Sequence, residues 1–471
     1  MTKHYLSILI SSLLITSILS GCGKKDENIL DHSELTNLEA NDSQLVKATS
    51  AQTELLIKNG MFVSRFQTDF SMDDNVAIAE SADGSADSST SSFSTTTTQE
   101  QGVAESDRVK YNGNTMFIAS NNDYGYYYDS GNEQSESVPH VRILQRQNDD
   151  SLIEQALIST EENAYDFSDL YLHDNTLVSI YSKFNDDVYT NNSDVGLAAD
   201  WGWYYPDMFA LKINDVNDPS SPTELATYSV DGYIKSTRRI DNMIYIVSSF
   251  NPQIDESIID STSNNQTIYE DILDIELQNI LPNVQINGGE AQLLVQPEQC
   301  YLPANIEDTD AFSEITTITS IDINDPDNFQ SICVISPTHG LYASSNNVYL
   351  YSTIYAEETY LTDTVIHQFS YENTSVSYQA TGKVTGQLGW NNPHLRFSEQ
   401  NGYLRVVTTQ NDWSNSTNTR EHNLFVLQDN DQGSLETVAQ LPNDENPATI
   451  GKPNEDIYAV RYYGDKAYVV T

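Results

Sequence analysis

Lys110, Arg238 and Arg461 each stand seven residues before an aromatic: Phe117, Tyr245 and Tyr468. A repeated cation stands out in a chain with 22 basic and 69 acidic residues. Together, the three could line a channel and bind an anion. Taken singly, they would pair with carboxylates between packed elements, which is the favoured reading; buried pairs of that kind specify more than they stabilise. Tyr126 and Tyr127 lie in one polar stretch, Trp201, Trp203 and Tyr204 in another, and Trp413 in a third. Aromatics among carboxylates can stack on sugar rings or form the centre of a protein interface. The plainer alternative is loops that pack on their own rings.

Reaction signatures are sparse. The eight histidines are scattered, without HExxH or paired spacing, and no CxxC occurs, so a zinc site is not expected. GxSxG, Walker and GxGxxG patterns are absent. Asp429-Asn430-Asp431-Gln432-Gly433 weakly resembles a calcium loop but lacks the third acidic position. It reads first as a turn, so no cofactor is expected, with Ca²⁺ the one candidate. A net charge of −47 argues against nucleic acid and anionic lipid surfaces as partners. It suits a surface in salty or extracellular water, or a field that gathers cations.

The elements that must position these residues recur. Gly232 to Ser249 reads as two strands about a tight turn at Asp241-Asn242. Similar hairpins run over Asp107–Ser120, Asp169–Ser182, from Gly340, from His394 and from Ile457 to Thr471. Most neighbours are roughly sixty residues apart, which predicts a β-propeller of four-stranded blades. Third and fourth strands are expected at Met208–Asn214 with Thr223–Val230, Thr319–Asn324 with Phe329–Ile335, and Asn423–Leu427 with Leu435–Leu441. The first-to-second and third-to-fourth connections are short turns. The second-to-third (B–C) loops are long: 121–138, 183–206, 251–314 and 410–422. In an up-and-down blade all B–C loops leave by one face, where binding would be built. The largest holds a helical spacing over Thr267–Leu281, expected to pack on that face.

The N-terminus carries an address. Lys3 and His4 precede an apolar run from Tyr5 to Ser20, too short to span a membrane comfortably. It ends in Leu19-Ser20-Gly21-Cys22, which resembles the bacterial lipobox. The resemblance implies a signal peptide over 1–21, diacylation of Cys22 and a membrane contact through lipid alone. Gly23, where an inner-membrane retention signal would place Asp, points to the outer membrane. In an exported chain Cys300 and Cys333 form an even pair, so a disulfide is expected, two buried thiols being the alternative. Residues 22–93 read as a polar tether from Lys24 to Asn41, a short helix within Gln44–Phe66 and a Ser/Thr-rich linker.

The run Ser94 to Asp107, STTTTQEQGVAESD, is similar to the opening motif of a family of secreted bacterial proteins. Their C-terminal β-propeller is distantly related to WD-40 repeats. Ile321–Pro326, Gly402–Thr409 and Ile457–Thr471 carry the same resemblance. Ala104 departs from it, since the family usually has an acidic residue there. The resemblance implies a fold and export, not a chemistry.

The expectation is therefore an all-β chain with a propeller over 94–471, a short helical N-terminal extension and one helical insertion at about 251–314. Six hairpins are visible, and the last ends within a blade. A continuing chain with about seven or eight blades is the favoured reading, closure by an N-terminal strand the other. The functional expectation is a lipid-anchored module that binds an envelope protein or glycan. The alternative is an envelope hydrolase acting on polysaccharide with loop carboxylates.

Overall fold

A computed structural model describes residues 32–65, 98–121, 139–161, 163–184, 207–254, 263–356, 361–372, 374–389, 392–412, 419–452 and 454–471. The chain is all-β, with antiparallel four-stranded blades as expected for a β-propeller. The first blade comprises Val109–Tyr111, Thr115–Ser120, His140–Arg146 and Leu152–Ser159. The second comprises Ala164–His173, Thr176–Lys183, Met208–Asp215 and Thr223–Asp231, widened by Asn283–Ile286 and Gln292–Leu293. The third comprises Tyr233–Ile240, Met243–Phe250, Ile315–Asp322 and Phe329–Val334. The fourth is Gly340–Ala343, Asn347–Tyr355, Thr362–Glu372 and Ser375–Thr385, and the fifth Phe397–Gln400, Tyr403–Asp412, Thr419–Asp429 and Leu435–Leu441. Ala459–Tyr463 and Lys466–Val470 form the sixth hairpin.

Strand periodicity explains how the blades stack. Successive side chains point to opposite faces of a sheet. On Met243–Phe250, Ile244 and Ile246 face the second blade, while Tyr245 and Val247 face the fourth. Both faces are buried, so the strand reads as an almost continuous apolar run. Each pair of consecutive blades shares one apolar cluster of this kind.

From residue 32 onward the N-terminal extension is docked, including the part of the expected tether over 32–41. Thr36–Asn37 pairs in parallel with Asp310–Ala311, and Leu38 is buried. Leu45–Lys47 pairs with Cys300–Pro303, which lies parallel to the outermost strand of the third blade. The apolar Leu35 and Leu38 make the difference, because both join the helical core. Helix α1 (Ser50–Ser64) begins at a capping box between Thr49 and Gln52. It packs on helix α2 (Asn265–Leu273) through Phe62 and Tyr269, whose rings meet edge to face. Helix α2 is shorter than its apolar spacing predicted. It ends at the Asp274 cap, and the chain then turns so that Ile280 and Leu281 are buried before Pro282. The loop expected over 410–422 is also shorter, since Gln410, Asn411 and Asp412 pair with Glu421, Arg420 and Thr419. Among the described residues no helix is long and apolar enough to cross a membrane.

Gly60 sits within α1, where alanine would favour the helix by about 1 kcal/mol on propensity alone. A Cβ there would fall on the backbone of Phe312 and Ser313. Gly60→Ala is therefore expected to lift α1 from the strand at Asp310–Ala311, with a net loss of about 1–3 kcal/mol. A thermal melt checks the sign; a raised midpoint would show that the backbone can give way.

Candidate functional site

The first strand of each blade stands at one edge of its four strands, and residues 98–107 of the opening motif run across these strands as a strap. Its folding starts from a turn: Val103 N–H donates to the Glu100 carbonyl at 3.2 Å, and Gly102 takes φ +83°. Gln99 Nε2 donates to the carbonyls of His394 (2.9 Å) and Phe397 (3.1 Å) in the fifth blade. The Glu100 carboxylate accepts from Tyr342 OH of the fourth blade at 2.6 Å. Val103–Ala104 adds a strand to the inner edge of the third blade, opposite Ile240 and Arg239. Asp107 exchanges backbone hydrogen bonds with Leu170 of the second blade. The strap thus touches four blades before it enters the first.

The electrostatics around it follow from burial. Desolvation raises the carboxyl of Glu100 above its ordinary range, against donation from Tyr342 and Ser398 and the charge of Arg405. Desolvation also raises Asp169, opposed by Ser106, Thr237, Ser168 and Arg238. Burial lowers the Lys110 ammonium, whose Nζ donates to the Glu105 carbonyl at 3.0 Å and lies 5.8 Å from the centre of the Tyr171 ring. His394 is pushed down to about 4 by burial and by Arg238 and Arg461, so its imidazole is neutral at neutral pH.

The seven-residue spacing now has a geometric meaning. Lys110 and Phe117, Arg238 and Tyr245, and Arg461 and Tyr468 are cross-strand partners in their hairpins. Lys110 leans on Tyr171 of the next blade. Arg238 is buried at the third-to-fourth blade interface beside Tyr371, and its Nη1 donates to Ser236 Oγ (2.8 Å) and the Thr237 carbonyl (2.6 Å). Arg461 is exposed and donates to the Val460 carbonyl at 3.0 Å. Arg238 and Arg461 both bear on His394, and Lys110 and Arg238 both bear on Asp169.

Cys300 and Cys333 are Cα partners 4.3 Å apart and are joined by a disulfide. Cys22, Tyr126, Tyr127, Trp201, Trp203, Tyr204 and Trp413 lie outside the described residues. In the Asp429–Gly433 turn, the Asp429 and Asn430 side-chain oxygens accept from the amides of Asp431, Gln432 and Ser434, as a turn requires. Among the described residues no group of three or more His, Cys, Asp or Glu is placed to hold a metal.

Sequence reasoning missed two hydroxyl–imidazole pairs, Thr381 with His367 (2.7 Å) and Thr409 with His422 (3.0 Å). Both are cross-strand partners inside blades. Arg396 also donates to Thr409, and burial lowers His367 to about 4. They knit strands together. Gln99, Glu100 and Asp169 were missed as well. The opening motif was the only signal, and it does not reveal which blades it meets.

A family model described as a beta propeller domain matches residues 93–471. The chain belongs to this beta propeller family. An uncharacterized protein of Methanocaldococcus jannaschii is 23% identical over 498 residues, covering 99% of this chain and 72% of that one. A solved structure of a protein from Lactobacillus plantarum aligns with 69% of this chain and 67% of its own, at 8% identity and a TM-score of 0.26. The family match fits the blade repeat and begins beside the strap, so the strap lies within the matched domain.

Proposed function

We propose that this propeller is an exported, lipid-anchored binding module of the cell envelope, delivered to the outer membrane through Cys22. Its ligand is an envelope protein or a glycan, taken up on the face from which the B–C loops emerge. One observation carries the reading. The blades are antiparallel meanders with tight first turns, such as Asp241-Asn242, while the longer insertions connect second and third strands. A meander sends every such connection out by the same edge, and variable loops on a rigid scaffold are where recognition is built. Loop aromatics at Trp201 and Trp203 supply the contact area, and the acidic surface disfavours nucleic acid.

The test is capture of envelope extract or cell-wall polysaccharide by the intact protein and by a Trp201→Ala/Trp203→Ala variant. Capture should saturate without turnover and be lost in the variant at an unchanged melting temperature. Turnover abolished by single loop Asp or Glu changes would replace the binding reading with hydrolysis. Cys22→Ser should move the protein from the membrane to the soluble fraction; an unchanged distribution would refute the anchor.

A further inference from the structure

The chain joins the fold earlier than its composition suggests, and it does so at one end of one blade. His32 Nδ1 lies 3.0 Å from Gln266 Oε1 on α2, and its ring meets Phe62 of α1 edge to face. Leu35 and Leu38 follow into the apolar cluster of the two helices. Helix α2 belongs to the insertion between the second and third strands of the third blade, so this cluster lies at the end from which the B–C loops leave. Three pairings fix that end. Thr36–Asn37 lies along Asp310–Ala311, just before the third strand begins at Ile315. Cys300 and Tyr301 pair with Cys333 and Val334, and Val334 is itself opposite Thr316 at the start of that strand. Val284 and Ile286, also from the insertion, pair with Val230 and Tyr228 of the second blade, and Val230 lies opposite Phe209 at the start of its third strand. The insertion is thus seated on the B–C ends of two blades, and the N-terminal segment is seated on the insertion.

We propose that the B–C ends of the second and third blades face the membrane that carries the anchor; the inference rests on lipidation of Cys22. Ten residues separate Cys22 from His32, and a chain gains at most about 3.6 Å per residue, so the His32 contact on α2 stays within about 36 Å of Cys22. A tether reaching to Asn41 would have allowed roughly 70 Å. The second strand of the third blade, Met243–Phe250, is about 26 Å long at about 3.3 Å per residue. For the opposite ends of the blades to meet the bilayer, the tether would have to run that whole length, using most of its reach. Attachment at the B–C end removes the need. Charge keeps the approach from becoming adsorption. Residues 251–314 carry thirteen acidic residues and no Lys, Arg or His, and Glu270, Asp274, Glu276, Glu307 and Asp308 are exposed. Anionic headgroups attract Lys and Arg, so this surface gains nothing from them. The propeller stands off the bilayer on its tether, and the ligand of the B–C face is presented from that same membrane surface.

Lipidated full-length protein is placed on phosphatidylcholine vesicles that carry an energy-transfer acceptor on their headgroups. The donor is attached through Glu276→Cys, on the insertion, or through Asp327→Cys, in the turn between the third and fourth strands of the same blade. Both positions are exposed, so neither label should disturb the fold. Transfer from the Glu276→Cys donor should exceed that from the Asp327→Cys donor at least about threefold, since the two ends lie about one strand length apart. Inserting about thirty Gly/Ser residues after Gly23 should abolish the difference. A difference that survives the longer tether would assign the orientation to adsorption and overturn the stand-off. Equal transfer in the unaltered chain, or the reverse order, would overturn the orientation while the anchor stands. Protein that stays off the vesicles would remove the anchor and the orientation together.

Discussion

Removing the Cys300–Cys333 bridge is expected to cost about 3–4 kcal/mol, because the cysteines close a loop with a separation of 33 residues. Both are fully buried, so packing adds to the chain-entropy term. The loss should also be localised. Cys300–Pro303 is held beside the third blade by two parallel pairs, Cys300 with Cys333 and Tyr301 with Val334. Leu45–Lys47 in turn rests on Cys300–Pro303. A Cys300→Ala/Cys333→Ala variant should melt earlier and lose amide protection first at Leu45–Lys47, while Ile244 and Ile246 stay protected longer. An unchanged melt, or free thiols in the purified protein, would contradict the expectation.

The second large effect is expected at Glu314, a residue that nothing in the sequence distinguishes among 69 carboxylates. Its Oε1 lies 2.6 Å from Lys235 Nζ and accepts from Ser249 Oγ at 2.7 Å. Lys235 also donates to the Thr338 carbonyl at 3.0 Å, so this pair ties the third blade to the segment leading into the fourth. Burial pushes the Glu314 carboxyl up, but Lys235, Ser249 and Tyr233 together outweigh it and hold it below the ordinary range. Glu314→Ala strands a largely buried ammonium, and about 2–4 kcal/mol should be lost, allowing for partial solvent access. The pH dependence has a definite sign. A lowered folded-state pKa contributes stability that is complete above the unfolded value of about 4.3 and is lost as pH falls through the folded value. Glu100 and Asp169, both raised, act the other way: stability is gained as pH falls through their folded values. Melts at pH 7 and near pH 3.5 should therefore differ less for Glu314→Gln than for the unaltered chain. An identical pH response would show that the pair is not the acid-sensitive element.

The hairpins were legible because two signals coincide in them. Asx residues such as Asp241, at φ +49°, set the turn, and strands buried on both faces announce themselves as apolar runs. The cation spacing was legible as a pattern but not as a position. Seven residues is the span between cross-strand partners in these hairpins, and which neighbouring blade the cation meets is a property of the stacked ring. The strap was unreadable as structure. Its two-residue ladder joins Ala104 to Arg239, a partner remote in sequence, and its side chains are mostly polar, so neither periodicity nor propensity marks it. The docking of residues 32–47 was hidden for a related reason. Two short strands with partners far along the chain look like a polar linker until those partners are known.

The attachment of the N-terminal extension to the third blade has a mechanical consequence. Any tension applied on the N-terminal side of Thr36 enters the ring at the rim, through Thr36–Asn37 on Asp310–Ala311 and Leu45–Lys47 on Cys300–Pro303. The Cys300–Cys333 covalent link then carries it into the third blade. The load path is set by the outermost strand of the third blade, so force applied there reaches Phe329–Val334 before the first strand, Tyr233–Ile240, at the opposite edge.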